Sequence, residues 1–174
     1  DVILGVTADG VFAEYFVAPE KALTKIPQDL PADIAVFAEP VNCVMGAVNK
    51  IRLLPGETVL VLGAGPIGLY FVMLLKSNGA GKVIVSEPSE YRAKYALECG
   101  ADVVINPIKE DLSQKVKELT QGLGADVTVD AVGVLSPDAI ACTRRAGKIV
   151  LFGQNGAVTE KICQNDITRN GLTV

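Results

Sequence analysis

Residues 59–68 read V-L-V-L-G-A-G-P-I-G, and the reading of that stretch decides the fold. The run from Thr58 to Leu75 carries no charge and reaches the roughly 18-residue length at which a membrane-spanning helix must be considered. Three glycines and a proline in its middle argue against a span, because they interrupt a helix instead of extending one. A strand from Val59 to Leu62, a tight turn from Gly63 to Gly68 and a buried helix from Leu69 to Leu75 fit better. Gly63-Ala64-Gly65-Pro66-Ile67-Gly68 is then a complete G-x-G-x-x-G. Its first glycine makes the turn, the second lets a pyrophosphate approach the backbone, and the third lets the helix pack closely on the sheet. Such a pyrophosphate sits at the helix N-terminus, where free N–H groups and the helix dipole favour negative charge.

The context strengthens the motif. Val83-Ile84-Val85-Ser86 leads into Glu87, 19 residues after Gly68, where the acid that binds an adenosine ribose belongs. A carboxylate there accepts from the 2′- and 3′-hydroxyls and repels a 2′-phosphate, so NAD is expected over NADP. Arg92 complicates this, since a guanidinium can contact ribose or neutralise a phosphate. The bland alternatives are a strand–helix turn that binds nothing and a solvated acid at a strand end.

A repeating pattern surrounds this unit. Gly81, Gly100, Gly124 and Gly147 each run directly into a β-branched stretch, and each suits the left-handed residue that closes a preceding helix. Ser89 can cap a helix over Glu90 to Leu97, Asp111 one over Leu112 to Thr120, and Ser136-Pro137-Asp138 opens one reaching Ala146. Alternating strand and helix is the signature of a parallel sheet covered on both faces. Leu172 to Val174 reads as the start of one more strand. Before residue 40 the pattern differs: Gly10 to Val17 reads as a strand, Pro19, Pro27 and Pro31 break the stretch after it, and Pro40 opens a helix to about Leu53. The chain begins at Asp1 in strand-like sequence without a methionine, as a piece of something longer would.

Bulk properties narrow the function. The 174 residues are 49% hydrophobic with 17 glycines and a net charge of −4, which suits buried parallel strands. No dense Lys/Arg stripe is present, so neither nucleic acid nor a membrane surface is an expected partner. Four scattered cysteines without a C-x-x-C pair suggest reduced thiols in a cytoplasmic protein. Cys43 reads as a small buried apolar residue.

These residues together resemble the medium-chain dehydrogenase/reductase superfamily, in its zinc-dependent alcohol, polyol and threonine dehydrogenase branch. The resemblance rests on Asp9 to Tyr15, Ala38-Glu39-Pro40, the Gly63–Gly68 turn, Val85 to Ser89, Gly100 to Pro107 and Asp130-Ala131-Val132-Gly133. It implies an α/β, doubly wound parallel sheet (a Rossmann domain) over residues 40–174, cut at its last strand. Residues 1–39 would then be a short remnant of a β-rich, GroES-like catalytic domain. It also implies hydride transfer between a secondary alcohol and NAD, with zinc polarising the substrate oxygen in the intact enzyme. Gly63, Gly65, Pro66, Ile67 and Gly68 match the pyrophosphate turn, and Glu87 and Arg92 match adenosine-ribose contacts. Val132, Gly133, Phe152, Gly153 and Gln154 match strand ends that hold the nicotinamide half. Glu39 matches the position that supplies a zinc-site group, a role a carboxylate can fill; an acid stabilised by a helix dipole is its plainer alternative.

The departures are equally specific. The chain has no histidine, and one carboxylate cannot make the three-ligand site that catalytic zinc requires. The family's other zinc ligands and its structural-zinc cysteines belong to an upstream domain. This sequence is therefore expected to carry the cofactor half, inactive alone, of a homo-oligomeric enzyme acting on a small alcohol. A zinc-free quinone reductase of the same superfamily, a non-catalytic dinucleotide-binding module and, more distantly, a methyltransferase are the rival readings.

Overall fold

In residues 59–62 and 83–85 valines alternate with leucine and isoleucine, and the alternation sorts them onto two faces. Val59, Val61, Val83, Val85, Val127 and Val129 pack into one core, while Leu60, Leu62, Ile84 and Ile105 pack into another. In the computed structural model, which describes residues 3–159 and 161–174, these strands are β1 (Thr58–Leu62), β2 (Lys82–Ser86), β3 (Val103–Ile105), β4 (Ala125–Asp130) and β5 (Thr143–Leu151). All pair in parallel, in the order β3-β2-β1-β4-β5. The chain divides into two units, residues 1–37 and residues 38–174. The sheet and its helices belong to the second.

Helices α2 (Ala38–Ile51), α3 (Pro66–Ser77) and α4 (Glu90–Glu98) cover the valine face through Val44, Val48, Phe71, Val72, Leu75 and Ala96. On the other face α5 (Leu112–Leu119) and α6 (Ser136–Cys142) contribute Leu112, Val116, Ala139 and Cys142. The two layers bury nearly all of β1, β2 and β4, and each fully buried aliphatic side chain contributes about 1.5–3 kcal/mol. Ser89 caps α4 by accepting from Arg92 N, and Asp111 caps α5 by accepting from Gln114 N. Burial pushes the Cys142 thiol up to about 12, with the Asp138 charge adding to it.

The run from Thr58 to Leu75 is thus strand, turn and the greater part of α3. Among the described residues one other helical stretch, 32–51, is long and apolar enough to cross a bilayer by length and composition. Val36 and Phe37 form a turn within it, and Val44, Val48 and Ile51 are buried in the valine-face core.

Several local expectations fail for identifiable reasons. Helix α2 begins at Ala38, so Pro40 lies inside its first turn, where a missing N–H costs nothing. Of the four strand-leading glycines only Gly100 and Gly124 have positive φ; Gly79 and Ala146 take the left-handed positions near the other two strands. Gly81 is instead required by contact, since a Cβ there would lie 2.5 Å from Gly56 O, and one on Gly147 would lie 2.5 Å from Thr143 Cγ2. Helix α6 ends at Cys142, short of Ala146. The Thr143 hydroxyl donates to Ala139 O at 2.6 Å and meets Thr128 Oγ1 of β4 at 2.8 Å, which draws the chain into β5. A register shift between Ala125 and Val127 absorbs the extra β5 residues. Thr173 bridges in parallel to Lys148, after a helix α7 (Gln164–Asn170) that the sequence pattern does not announce.

In the first unit, Gly10 to Val17 forms no strand; its apolar side chains at Val11, Phe12, Tyr15 and Val17 are exposed. A strand needs a neighbour to satisfy its backbone, and the only pairing described in this unit is a bridge between Leu4 and Ala8. A 3₁₀ turn at Glu20–Ala22 and the single turn α1 (Ala32–Ala35) are its other described elements. The strand-like start at residues 1 and 2 lies outside the described residues.

Candidate functional site

The strand order reverses at β1: β2 and β3 lie to one side, β4 and β5 to the other. Such a switch point opens a crevice beyond the carboxyl ends of the two central strands, and ligands of open α/β sheets bind there. Leu62 and Asp130, opposite one another in the β1–β4 register, bring the glycine turn and the loop after β4 together at that crevice.

The turn is built from three different glycines. Gly63 has φ +93°, and a Cβ there would lie 2.6 Å from Val132 Cγ2. Gly68 is forced by packing, since its Cβ would stand 2.0 Å from Gly63 O. Gly65 is neither. Its φ of −69° suits any residue, and nothing lies within 4 Å of where its Cβ would be. Helix α3 starts immediately after it, with Pro66 in the first turn, and the first ladder bond runs from Leu69 N to Gly65 O at 2.9 Å. Helix geometry leaves the N–H groups of Ile67 and Gly68 ahead of that ladder, aimed outward from the N-terminus.

Glu87 follows β2 and is 3% exposed, so it is no solvated strand-end acid. Its Oε2 accepts from Ala64 N at 2.8 Å, inside the glycine turn, and its Oε1 accepts from Ser89 N at 2.8 Å and Arg92 Nη2 at 2.7 Å. Burial alone would raise its pKa, but the Arg92 hydrogen bond, the Ser89 and Ala64 amides and the Arg92 charge outweigh it and hold the carboxyl below the ordinary range. A carboxylate offers about four lone-pair positions. With three in use, one is open for a ligand hydroxyl, fewer than the two expected from the sequence. Arg92 is half exposed and free on its outer side.

At the other end of the crevice Glu39, Cys43, Ile67, Val132, Phe152 and Gln154 line a cleft of about 640 Å³. Gly153 also lines it, while Gly133 lies behind in backbone contact with Gly153. Phe152 packs edge-on against Phe71 of α3, ring centroids 5.0 Å apart, which fixes the cleft wall to the helix behind the turn. The site residues named from sequence therefore fall into three groups: Gly63, Gly65, Pro66 and Gly68 in the turn itself, Glu87 and Arg92 beside it, and Glu39, Ile67, Val132, Gly133, Phe152, Gly153 and Gln154 at or behind this cleft.

Cys43 is exposed, not buried, with its Sγ 3.7 Å from Glu39 Oε1 one helical turn away. The i, i+4 spacing on α2 places both on one face, and that signal was legible in the sequence. Two donors fall short of a three-ligand zinc site. Among the described residues no group of three or more His, Cys, Asp or Glu is placed to hold a metal, so these residues alone do not fit a catalytic zinc.

Comparison with known proteins places the chain in a family. The sequence profile of a family described as zinc-binding dehydrogenase matches residues 66–174. An L-threonine 3-dehydrogenase of Pyrococcus furiosus is 41% identical over 157 residues, covering 87% of this chain and 44% of that protein. A short chain alcohol dehydrogenase from E. coli CFT073, complexed with NADH, superposes with a TM-score of 0.89 at 34% identity, covering 99% of this chain and 51% of that one. A zinc-binding dehydrogenase of Sinorhizobium meliloti bound to NADP gives a TM-score of 0.88 at 28% identity, with 98% and 51% covered. The chain spans about half the length of each.

Proposed function

Because this chain belongs to the zinc-binding dehydrogenase family, we propose that its glycine turn and switch-point crevice bind NAD. In the whole protein this half would orient the cofactor for hydride exchange with a secondary alcohol, threonine or a polyol among them. The observation that carries the reading is Gly65. Its backbone conformation and surroundings admit a side chain, so its lack of one is explained by a group approaching from outside. A pyrophosphate against the N-terminus of α3 is such a group.

The chain's own residues then divide the cofactor between them. The N–H groups of Ile67 and Gly68 receive the phosphates, and the remaining acceptor position of Glu87 takes one ribose hydroxyl. Arg92, tied to Glu87, offers its outer face to the second hydroxyl. Ile67, Val132, Phe152, Gly153 and Gln154 enclose the nicotinamide half, fixing the ring and excluding water from one side of it. NAD, when bound, supplies the hydride acceptor. Glu39 would give one carboxylate to a zinc site whose other ligands come from elsewhere in a longer protein. A cytoplasmic homo-oligomer acting on a small alcohol is part of the same proposal, supported by the family and by the absence of a basic stripe.

Titration calorimetry tests it. NADH binds the wild-type chain, and NADPH binds at least about tenfold more weakly because the Glu87 carboxylate faces its 2′-phosphate. Gly65→Ala weakens NADH binding by about tenfold or more while the melting temperature moves by no more than about 4 °C, the cost of a changed N-cap. A wild-type chain that does not bind NADH, or a Gly65→Ala chain that binds it unchanged, sinks the reading.

A further inference from the structure

Asp130, the last residue of β4, is 2% exposed and has no cationic partner among the ion pairs of the described residues. Every bond described for its carboxylate goes to backbone. Oδ1 accepts from Val132 N at 2.9 Å and Gly133 N at 2.8 Å, and Oδ2 accepts from Leu135 N at 2.9 Å. Its main-chain carbonyl accepts from Phe152 N at 3.0 Å and Gly153 N at 2.9 Å. One residue thus fixes both segments that wall the cleft, the loop after β4 through its side chain and the end of β5 through its backbone.

Those segments have no slack. A Cβ on Gly153 would lie 2.2 Å from Gly133 N, and one on Gly133 would lie 2.5 Å from Gly153 C. They meet backbone to backbone, and Val132 reaches across to the glycine turn, 2.6 Å from the position of a Gly63 Cβ. A shift of the loop therefore moves the cleft wall, while the turn stays tied to Glu87 through the Ala64 amide.

We propose that Asp130 is a positioning residue for the nicotinamide half of the cofactor, acting through Val132, Gly133, Phe152 and Gly153 and touching no ligand itself. The inference rests on the NAD-binding reading and extends it. Because the adenosine end is organised separately, by Glu87, Ser89, Arg92 and the Ala64 amide, the two halves of the dinucleotide depend on different carboxylates. Asp130→Asn keeps an oxygen toward Val132 and Gly133 but turns an amide donor toward the Leu135 N–H. Asp130→Ala removes all three side-chain bonds.

Binding of NADH and of ADP-ribose, which lacks the nicotinamide, is measured on wild type and both variants. Asp130→Asn weakens NADH by about tenfold and Asp130→Ala by more, the scale of losing charge-assisted hydrogen bonds, while ADP-ribose affinity stays within about twofold. Equal losses for both ligands, or none for NADH, overturn the inference, because a merely structural role affects the two alike. Hydrogen exchange on the wild-type chain gives a second reading that needs no folded variant. NADH slows exchange across 131–135 and 152–154 and ADP-ribose does not; identical protection by the two overturns the proposal. A wild-type chain that binds ADP-ribose and NADH equally well removes the nicotinamide subsite while sparing the dinucleotide turn. One that binds neither overturns the cofactor reading and this inference together.

Discussion

A buried carboxylate held by three donors has a definite pH signature. Burial opposes ionisation of Glu87, yet the Arg92 contact and two backbone amides prevail, so its folded-state pKa is depressed. A depressed pKa contributes stability that is fully present above the unfolded value, roughly 4.3 for glutamate, and is lost as pH falls through the lower folded value. Glu87→Gln cannot titrate there. It lowers stability at pH 7 by about 1–3 kcal/mol, since its amide places a donor among donors, and it flattens the acid limb of the stability profile. Urea denaturation between pH 3 and 7 checks this, and an unchanged limb refutes the assignment. The position of Glu87 was legible, because the count from the glycine turn points to it. Its near-saturation was not, because that depends on the turn folding the Ala64 amide back toward β2.

At the scale of elements, the join of α3 to β1 is the tightest packing in the site. Gly68→Ala would put a Cβ 2.0 Å from Gly63 O, a backbone atom that cannot move without opening the turn. Overpacking of this kind costs about 3 kcal/mol or more, so the melting temperature falls by roughly 6–12 °C, well beyond the change for Gly65→Ala. Comparable melting of the two variants would show that the glycines are not divided as described. The βα alternation itself was readable, because Ser89 and Asp111 carry their caps in the side chain and a glycine leads into each β-branched run. The end of α6 was not readable, since Thr143 leaves the helix for a partner, Thr128, fifteen residues away. The supposed strand at Gly10 to Val17 failed for the complementary reason: alternation signals a strand only where another strand lies beside it.

For the molecule as a whole, zinc retention turns on which donor side chains lie together. With no histidine in the chain and, among the described residues, no group of three or more Cys, Asp or Glu placed to hold a metal, zinc added to the 174-residue chain and dialysed remains well below one equivalent by elemental analysis, roughly a tenth or less. Stoichiometric retention would mean that other groups converge on Glu39. The sheet order carries a different consequence, one of time. Pairing β1 with β2 joins residues such as Thr58 and Lys82, whereas pairing it with β4 joins Val59 to Val127, and the longer closure carries the larger entropic cost. The proposed cofactor lies across that more distant seam, in contact with both sides of it. A ligand that bridges contacts completed late in folding acts on escape from the native state, leaving the speed of reaching it little changed. The proposed dinucleotide would thus serve this chain as a latch against unfolding, over and above the role proposed for it as a cofactor.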